Sequence, residues 1–380
     1  MKRYEKKILF VVNAPWFFVS HRLPLATAAK KLGYEVHVAT SHGPEIEIIK
    51  TQGLNHHTIP FTRSNQNLFS NIKILFSLVR LFKSIKPDIV HLVTIKPVIF
   101  GGIAARMVGI KSVVAAISGL GTVFIDNSIQ GNFRRIIVIK LYKEAFRHSR
   151  LAVIFQNLDD RNIFLENNLV SSKDVRIIRG SGVILSDYPY VSEPSSINTV
   201  VMAARLLRDK GVFEFIEAAK ILKSQGKKIR FRLLGDLDNE NKSSISKMDY
   251  KKLKADGIVE LLGFRQDIAY QYANAHIVCL PSYREGLPKS LLEAAACGRA
   301  VVTTDVPGCR DAIIPGITGL LCSVKDPNSL AKAILELIDD PSKRQEMGRA
   351  GRELAEEEFA IEKIIEQHIN IYDELLSKEY

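Results

Sequence analysis

Short runs of β-branched and apolar residues alternate along the chain with longer segments whose apolar positions recur at helical spacing. In the first half these runs are KILFVVN, EVHVAT, DIVHLV, KSVVAAIS and LAVIFQ, and in the second half they are NTVVMAA, IRFRLLG, HIVCLP and AVVTTD. Strands separated by helix-length segments indicate right-handed crossovers and parallel sheets. The pattern therefore predicts an α/β protein with two Rossmann-like parallel-sheet domains.

The two series of strands meet at a segment between Gly180 and Asn198 that is rich in serine, proline and glycine, and this segment is interpreted as a linker. We expect an N-terminal domain over residues 1–185 and a C-terminal domain over residues 186–355. The ligand-binding ends of the two sheets are expected to face each other across a cleft. Residues 356–380 predict an amphipathic helix that either crosses back to the first domain or completes the second.

The composition indicates a folded globular protein without a disulfide framework or a zinc site. With 380 residues, 46% hydrophobic and 25% charged, the chain is typical of folded globular proteins. Its four cysteines lie far apart without a C-x-x-C pair, which argues against a disulfide framework or a zinc site. The sequence has no run of about eighteen apolar residues, and its apolar start predicts a strand rather than a leader peptide. We expect a cytoplasmic protein.

Positive charge is concentrated in the first half. Residues 1–190 hold 26 lysines and arginines against 12 aspartates and glutamates, whereas residues 191–380 hold 27 against 29. Two basic amphipathic stretches, residues 67–86 and 132–150, lie in this half. Each is interpreted either as a helix that covers a sheet or as a surface that docks on lipid headgroups. The imbalance favours an anionic partner, whether nucleic acid, phospholipid or a phosphorylated substrate.

Two glutamates stand on either side of a proline in the segment PSYREGLPKSLLEAAACGR. Glu285 precedes Pro288 in a predicted turn, and Glu293 follows it inside a predicted helix. A buried, ionised carboxylate needs hydrogen-bond partners, which are either ligand hydroxyls or nearby arginines such as Arg284 and Arg299. Proline is favoured in the first helical turn, where unpaired N–H groups suit a phosphate. The segment therefore offers acceptors for sugar hydroxyls beside donors for an anion.

Two loops of the second half add further candidate contacts. The segment AARLLRDKG places Arg205 and Lys210 between a predicted strand and the next helix. These cations bind a diphosphate if they face the glutamate segment, or they form ordinary surface salt bridges, since Asp209 is adjacent. Further on, LLGFRQD places Gly263 and Phe264 in a glycine turn at a strand end, which is a common position for backbone contact to a base ring.

Taken in order, Arg205, Lys210, LLGF, PSYREGLPKSLLEAAACGRAVV and the tail VPGCRD…GITGLL resemble the retaining glycosyltransferases of family four, which have the GT-B fold. The resemblance covers nearly the whole chain and is looser in the first half. It implies that Arg205 and Lys210 neutralise the diphosphate of a nucleotide sugar. It also implies that Glu293 accepts hydrogen bonds from the ribose and that Glu285 holds the donor sugar ring. These implied roles make Arg205, Lys210 and Glu285 the candidate catalytic residues.

The same resemblance assigns the turn before the helix to the donor. Backbone N–H groups from Gly286 through Leu287 and Pro288 to Lys289 are implied to contact the distal phosphate or the sugar. The Asp-x-Asp spacing used by metal-dependent relatives of another fold occurs once, at Asp236 and Asp238. Because two cations already face the diphosphate in this interpretation, no metal and no cofactor beyond the nucleotide sugar are expected.

The first half departs from the family pattern at two places. In the first loop, Ser20, His21 and Arg22 replace the glycine pair of relatives, and Ser118, followed by Gly119, lies where many relatives have a histidine. The resemblance implies that all of these residues except Ser20 lie on the acceptor or phosphate side, with Arg22 alternatively a helix-start residue facing solvent. We assign no protein general base, and His91 is interpreted as structural or as an acceptor-side residue.

The segment RGSGVILSDY, residues 179–188, resembles the family's Asn-Gly-Val-Asp linker with serine and isoleucine substituted. This variant and Ser118 both resemble a subgroup that extends lipid-linked saccharides in bacterial surface polysaccharide or glycoprotein pathways. The implied reaction moves a sugar, with retention, from a UDP-sugar to an undecaprenyl diphosphate-linked saccharide. The protein is then expected at the inner face of the cell membrane, associated peripherally, with no nucleic acid as a partner. Two alternatives stay open: a UDP-sugar epimerase of the same fold, and a non-enzymatic protein that binds polyanions or membranes.

Overall fold

The chain folds into two compact units. The computed structural model describes residues 6–61, 68–120, 129–238 and 240–377. The first unit comprises the described residues of Met1–Ser181 and Glu362–Tyr380, and the second comprises those of Gly182–Ile361. Each unit contains one parallel sheet. The fold class predicted from the alternating pattern is therefore confirmed.

The first unit is built on a seven-stranded sheet in which all pairings are parallel. Its strands are β1 (Lys7–Val12), β2 (Glu35–Thr40), β3 (Asn55–Thr58), β4 (Ile89–Val93), β5 (Ser112–Ile117), β6 (Arg150–Phe155) and β7 (Val175–Ile177). Their spatial order is β3-β2-β1-β4-β5-β6-β7. The central strands are almost fully buried, which explains why they form near-continuous apolar runs in the sequence.

Helices cover both faces of this sheet. They are α1 (Pro15–His21), α2 (Leu23–Lys31), α3 (Ile46–Thr51), α4 (Leu68–Ile85), α5 (Gly102–Val108), α6 (Ile129–Ala145) and α7 (Leu158–Glu166). Alternate residues of β1 point to opposite faces, as the two-residue period of a strand requires. Phe10 packs in one core with Phe18 of α1, and Leu9 packs in the other with Leu78 of α4. Within the basic stretch, Leu68–Ile85 thus forms a helix that covers a sheet.

The second unit is built on a six-stranded parallel sheet. Its strands are β8 (Thr199–Ala203), β9 (Arg230–Leu234), β10 (Glu260–Gly263), β11 (Ile277–Leu280), β12 (Ala300–Thr304) and β13 (Gly319–Cys322). Its helices are α8 (Val212–Ser224), α9 (Lys247–Asp256), α10 (Ile268–Ala273), α11 (Lys289–Ala296), α12 (Pro327–Asp339) and α13 (Pro341–Leu354). The strand order is β10-β9-β8-β11-β12-β13, so the order reverses between β8 and β11. Ligands of open α/β sheets bind at such a point, beyond the carboxyl ends of the strands.

The last helix, α14 (Ile361–Ser377), packs in the first unit. Its Ile371 and Leu375 are buried in the same core as Phe10 of β1. At its end, the two carboxylate oxygens of Glu374 accept hydrogen bonds from Arg176 Nη2 at 2.7 and 2.8 Å. The apolar stripe of the final segment is thus buried in a core that includes β1, about 350 residues earlier in the chain.

Candidate active site

The carboxyl edge of the second sheet brings the predicted donor residues together. Arg205 and Lys210 follow β8, and Glu285 follows β11, which is the neighbour of β8. Gly263 ends β10 and Phe264 follows it, two strands from β8 on the other side. Residues that are 80 positions apart in sequence therefore lie along one edge of one sheet.

Lys210 is held beside Glu285 by close packing of the loops after β8 and β11. Gly211 has a positive φ of 77°, and a β-carbon there would collide with the carbonyl oxygen of Pro281. The backbone N–H of Tyr283 donates to the carbonyl of Asp209 at 2.8 Å. Glycine at position 211 thus allows the two loops to touch, and the ammonium group of Lys210 forms an ion pair with the carboxylate of Glu285.

Glu285 is fixed by three further contacts. Its Oε1 atom accepts a hydrogen bond from Ser282 Oγ at 2.7 Å, and its backbone N–H donates to the carbonyl of Pro307 at 3.1 Å. A β-carbon at Gly308 would collide with the Glu285 carbonyl, so the turn that contains Gly308 also packs against this loop. Within the described residues, Oε2 of Glu285 receives no hydrogen bond, so one oxygen is anchored and the other is available to a ligand.

Glu293 is anchored in the same way. Its Oε1 atom accepts a hydrogen bond from the Tyr188 hydroxyl at 2.7 Å and lies 3.5 Å from Lys289 Nζ. Burial raises the pKa of Glu293, and Lys289 and Tyr188 oppose that shift. Neither oxygen is paired with Arg299, which donates instead to backbone carbonyls, including that of Tyr272 at 3.0 Å. As at Glu285, no described residue donates to Oε2.

The helix that carries Glu293 begins one residue later than the sequence suggested. Pro288 lies outside α11, in an extended conformation with φ −73° and ψ 117°, and Lys289 is the first helical residue. Proline fixes φ but has no N–H, so it directs the chain into the helix without donating to a ligand. The prediction that backbone donors run from Gly286 to Lys289 therefore reduces to Gly286, Leu287 and Lys289.

Arg205 is paired with a carboxylate that the sequence did not indicate. Its Nη1 atom donates to Asp238 Oδ2 at 2.6 Å, rather than pairing with the adjacent Asp209. Asp236, the other acidic residue of the Asp-x-Asp spacing, accepts from the backbone N–H of Phe264 at 3.2 Å. Asp238 thus orients the Arg205 side chain, and Asp236 fixes the backbone at Phe264. Across the described ranges, no three histidine, cysteine, aspartate or glutamate side chains are grouped to hold a metal ion.

Gly263 and Phe264 form the rim of this edge. Gly263 has a φ of 66°, and its carbonyl accepts from the Gly235 N–H at 2.8 Å. The Phe264 ring is 69% exposed. Because its own N–H is bonded to Asp236, Phe264 offers a ligand its ring and its carbonyl rather than its amide.

His21 and Arg22 lie in the first unit, at the junction of α1 and α2. His21 stacks on Phe17 at 4.0 Å between ring centroids. Arg22 is buried, with 3% of its surface exposed, so the alternative in which it is a helix-start residue facing solvent is wrong. Burial lowers its pKa to about 10, and Tyr372 of α14 opposes that shift. A helix from the far end of the sequence therefore covers this arginine.

His91 belongs to the same buried cluster. Its Nδ1 atom lies 2.6 Å from the Tyr372 hydroxyl, and its ring stacks on that of His368 at 5.6 Å. Burial, with Arg22 as a second cause, keeps the pKa of His91 well below its ordinary value. Its burial beside Tyr372 and His368 favours the structural interpretation of His91.

Ser118 and Gly119 directly follow β5 at the carboxyl edge of the first sheet. Gly119 has a φ of 107°, which allows a sharp turn that other residues rarely adopt. The Oγ atom of Ser118 is buried and has no hydrogen-bond partner among the described residues. This serine is therefore a candidate ligand contact on the first unit.

Sequence reasoning missed two residues that hold the site together. Ser282 lies within the recognised glutamate segment and could have been found there, because a hydroxyl three residues before a carboxylate in a turn can bond to it. Tyr188 lies 105 residues before its partner Glu293. Local sequence contains no signal for that contact.

Comparisons with known proteins show which family the chain belongs to. Residues 7–157 match a family model described as glycosyl transferase 4-like, and residues 191–354 match glycosyl transferases group 1. A Campylobacter jejuni N,N'-diacetylbacillosaminyl-diphospho-undecaprenol alpha-1,3-N-acetylgalactosaminyltransferase is 30% identical, with 97% of this chain and 99% of the relative aligned. The Staphylococcus aureus capsular polysaccharide glycosyltransferase CapM is 27% identical over 95% of this chain and 96% of its own length.

Solved structures show the same architecture. A sucrose-phosphate synthase from Thermosynechococcus elongatus superposes with a TM-score of 0.81 at 20% identity, covering 98% of this chain and all of that one. The Anabaena protein HepE, solved with UDP and glucose, superposes with a TM-score of 0.76 at 19% identity, covering 97% and 99%. The fold is therefore GT-B. Together with the Campylobacter relative and the two family models, this places the chain in the family of group 1, family-four-like glycosyltransferases.

Proposed function

We propose that this glycosyltransferase moves a sugar, with retention of configuration, from a UDP-sugar to an undecaprenyl diphosphate-linked saccharide. Two similar proteins are named for transfer to undecaprenyl-linked sugars: the Campylobacter enzyme and an Escherichia coli UDP-galactose-dependent alpha-1,3-galactosyltransferase that is 26% identical over 295 residues. The Anabaena structures contain UDP or UDP-glucose. The proposal for this chain depends on what its own residues offer such ligands.

One observation supports donor binding most directly. Glu285 and Glu293 each have Oε1 bonded within the protein, and no described residue donates to either Oε2. A carboxylate oriented by one oxygen and open at the other is arranged to accept from a ligand hydroxyl. We assign the Oε2 atom of Glu293 to the ribose and that of Glu285 to the donor sugar.

The diphosphate is assigned to the cations between these glutamates and the β8 loop. Lys210 and Arg205 both follow β8, and the backbone donors before α11 lie in the loop after the neighbouring strand β11. Breaking the sugar–phosphate bond builds negative charge on the leaving oxygen, so cations fixed beforehand stabilise the transition state more than the ground state. We propose that they supply the neutralisation that a divalent metal ion supplies in other transferases.

Retention follows from attack on the face from which UDP departs. The acceptor hydroxyl forms the new bond to the anomeric carbon, the bond to the phosphate oxygen breaks, and that oxygen receives the hydroxyl proton. Because the leaving group takes the proton, no protein general base is required. This step is proposed on the resemblance to retaining transferases and on the cations at the phosphate.

A basic surface on the first unit fits a membrane-anchored acceptor. The buried positions of α4, including Ile74, Leu78 and Phe82, lie on one side of the helix. Its opposite, exposed side combines apolar and basic residues: Phe69, Ile72, Lys73, Phe76, Arg80 and Lys83. Such a face docks in the interface of an anionic bilayer.

Helix α6 adds to this surface. It packs on the same side of the sheet as α4, with α5 between them, and it exposes Ile136, Ile137 and Lys140. Over the part of the chain that the structure describes, no helix is both long and apolar enough to span a bilayer. We propose that the faces of α4 and α6 rest on the inner leaflet of the cell membrane.

The test is UDP release by purified protein, measured over a panel of UDP- and GDP-sugars. Each donor is supplied with and without a membrane extract that contains lipid-linked saccharides. Release from one UDP-sugar that depends on the extract is the expected result. Conversion of a UDP-sugar without any acceptor would indicate an epimerase instead. Binding of polyanions with a steep salt dependence, and no binding of UDP, would indicate a non-enzymatic protein.

A further inference from the structure

Three uncharged polar residues follow three neighbouring strands of the first sheet. Asn13 follows β1, Thr94 follows β4, and Ser118 follows β5. Val12 pairs with Val93, and Val93 pairs with Ala116, so the three residues leave the sheet at nearly the same level. Adjacent strands are about 5 Å apart. Asn13, Thr94 and Ser118 thus form a short row on the carboxyl edge, which we call the neutral row.

Among the described residues, one side-chain oxygen of each residue in the neutral row has no hydrogen-bond partner. Asn13 Oδ1, Thr94 Oγ1 and Ser118 Oγ are all buried, and none has a partner among the described residues. Buried polar atoms are usually satisfied, and leaving one unsatisfied costs free energy. Three of them on adjacent strand ends, in residues that remain partly exposed themselves, indicate a place where a partner is missing.

The backbone at Thr94 is strained, which is a separate sign of function. Its φ is 74°, a left-handed value that is unfavourable for a β-branched residue. Two backbone hydrogen bonds fix this conformation: Thr94 N–H donates to Ala116 O at 3.3 Å, and Thr94 O accepts from Val98 N–H at 2.9 Å. A π-helical turn, Pro97–Gly101, follows directly. Both strained residues and π-turns concentrate at functional sites.

We propose that the neutral row binds hydroxyl or acetamido groups on the uncharged terminal sugar of the acceptor, and that the strain at Thr94 places its hydroxyl in the row. This inference rests on the proposed function. Hydroxyls and an amide both donate and accept, as a sugar requires, whereas a diphosphate would need cations. An unpartnered hydroxyl breaks no bond when it rotates about χ1 toward a ligand.

The test compares single variants by steady-state kinetics, with the acceptor varied at saturating donor and the donor varied at saturating acceptor. Thr94→Ala, Ser118→Ala and Asn13→Ala should each raise the acceptor KM about three- to tenfold, the effect of one lost neutral hydrogen bond. The donor KM should not change. Thr94→Ser keeps the hydroxyl and should restore the acceptor KM to near the wild-type value.

The matched control is Thr58→Ala. Thr58 ends the edge strand β3, three strands from β4, and it is exposed. Its removal should leave both KM values unchanged. An acceptor KM that stays at the wild-type value in all three row variants would overturn the proposal. So would variants that lose only thermal stability, because the oxygens would then hold an ordered water alone.

Two further measurements separate a loss of sugar binding from a folding defect and from failure of the proposed function. Thr94→Gly removes the hydroxyl but allows the positive φ, so it should fold with an unchanged or higher Tm and still raise the acceptor KM. If the wild-type protein transfers nothing to lipid-linked saccharides, the proposed function fails. Saturation-transfer NMR with a methyl N-acetylhexosaminide then tests the row directly. Signals that disappear in a Thr94→Ala, Ser118→Ala double variant support it, and equal signals contradict it.

Discussion

The two parallel sheets have carboxyl edges of opposite character. On the second unit the edge consists of charged groups that are already paired: Lys210 with Glu285, Arg205 with Asp238, and Lys289 with Glu293. On the first unit the corresponding edge contains the neutral row, whose oxygens have no partner in the described chain. The same architecture thus has paired, charged residues at the edge of one sheet and, at the edge of the other, the neutral row.

The difference matches what the two proposed ligands, a diphosphate and an uncharged sugar, would require of a binding edge. Charged side chains that are already oriented by one another need little rearrangement when charge develops on a phosphate, and this preorganisation is what stabilises a transition state. Neutral hydroxyls carry no net charge and stabilise a developing phosphate charge much less. They distinguish ligands by hydrogen-bond geometry, which suits a sugar ring. Substitutions at individual residues of the two units test this difference.

The largest effect is expected from Lys210→Met. The substitution removes the cation assigned to the diphosphate and leaves the largely buried carboxylate of Glu285 without its ion-pair partner. We expect kcat to fall about 100- to 1000-fold, the effect of losing one preorganised group that stabilises developing charge. Lys220→Met is the matched control, because Lys220 forms only an exposed pair with Glu217. A Lys210 variant with more than a third of wild-type turnover would contradict the assignment.

The next effect separates the two glutamates. Glu285→Ala should lower kcat at least tenfold while UDP still binds, because this residue is assigned to the sugar and not to the nucleotide. Tyr188→Phe removes only the hydroxyl that anchors Glu293, and it should weaken UDP binding by about fivefold or less. Turnover measured with UDP affinity in both variants checks the separation. Loss of UDP affinity in Glu285→Ala would mean that the roles are exchanged or shared.

The buried histidines of the first unit predict loss of stability in acid. Burial first, then Arg22, lowers the pKa of His368 from 6.5 to about 3. The unfolded chain takes up a proton near pH 6.5 and the folded chain does not, so stability is lost as pH falls below about 6.5. At pH 5 the loss from His368 is about 2 kcal/mol.

Trp16 is the single tryptophan of the chain and lies in α1, so its fluorescence follows unfolding of the first unit. Urea midpoints at pH 7 and pH 5 give the acid sensitivity. His368→Phe should reduce the difference between the two midpoints, whereas a change at the exposed His42, to Gln, should not. An unchanged difference in His368→Phe would show that this histidine titrates normally.

The smallest effect is expected from Asp238→Asn. Arg205 is 42% exposed, so its pair with Asp238 contributes little free energy despite the short distance of 2.6 Å. The substitution should change UDP affinity by less than about fivefold. A larger loss, measured by titration calorimetry, would mean that Asp238 orients Arg205 for the diphosphate rather than only neutralising it.

The strands and the charged donor residues could be predicted because their signals are local. Buried parallel strands are apolar runs, and Lys210, Glu285 and Glu293 lie in short segments whose spacing is informative. The edge strands β3, β7 and β13 were not predicted, since NHHT, VRI and GLLC are short and partly exposed. Their place in the sheet comes from pairing with neighbours, which single-sequence patterns do not report.

Long-range contacts account for the remaining differences. The sequence left open whether Arg22 faces solvent, because Tyr372 of α14, with which the buried Arg22 interacts, is 350 positions later in the chain. The anchor of Glu293 by Tyr188 and the pairing of Arg205 with Asp238 likewise depend on loops that meet only in the folded unit. The strain at Thr94 is a property of the backbone, and a threonine at the end of an apolar run does not predict a positive φ.

Calorimetric titration of UDP into matched variants of the two edges tests the central claim most directly. The paired, charged edge of the second unit should bind UDP, and the neutral row of the first should not contribute. Glu293→Ala should therefore weaken UDP binding at least tenfold, and Asn13→Ala should leave it unchanged. Wild-type protein that gives no heat with UDP, or a Glu293→Ala variant that binds UDP as tightly as the wild type, would contradict the account.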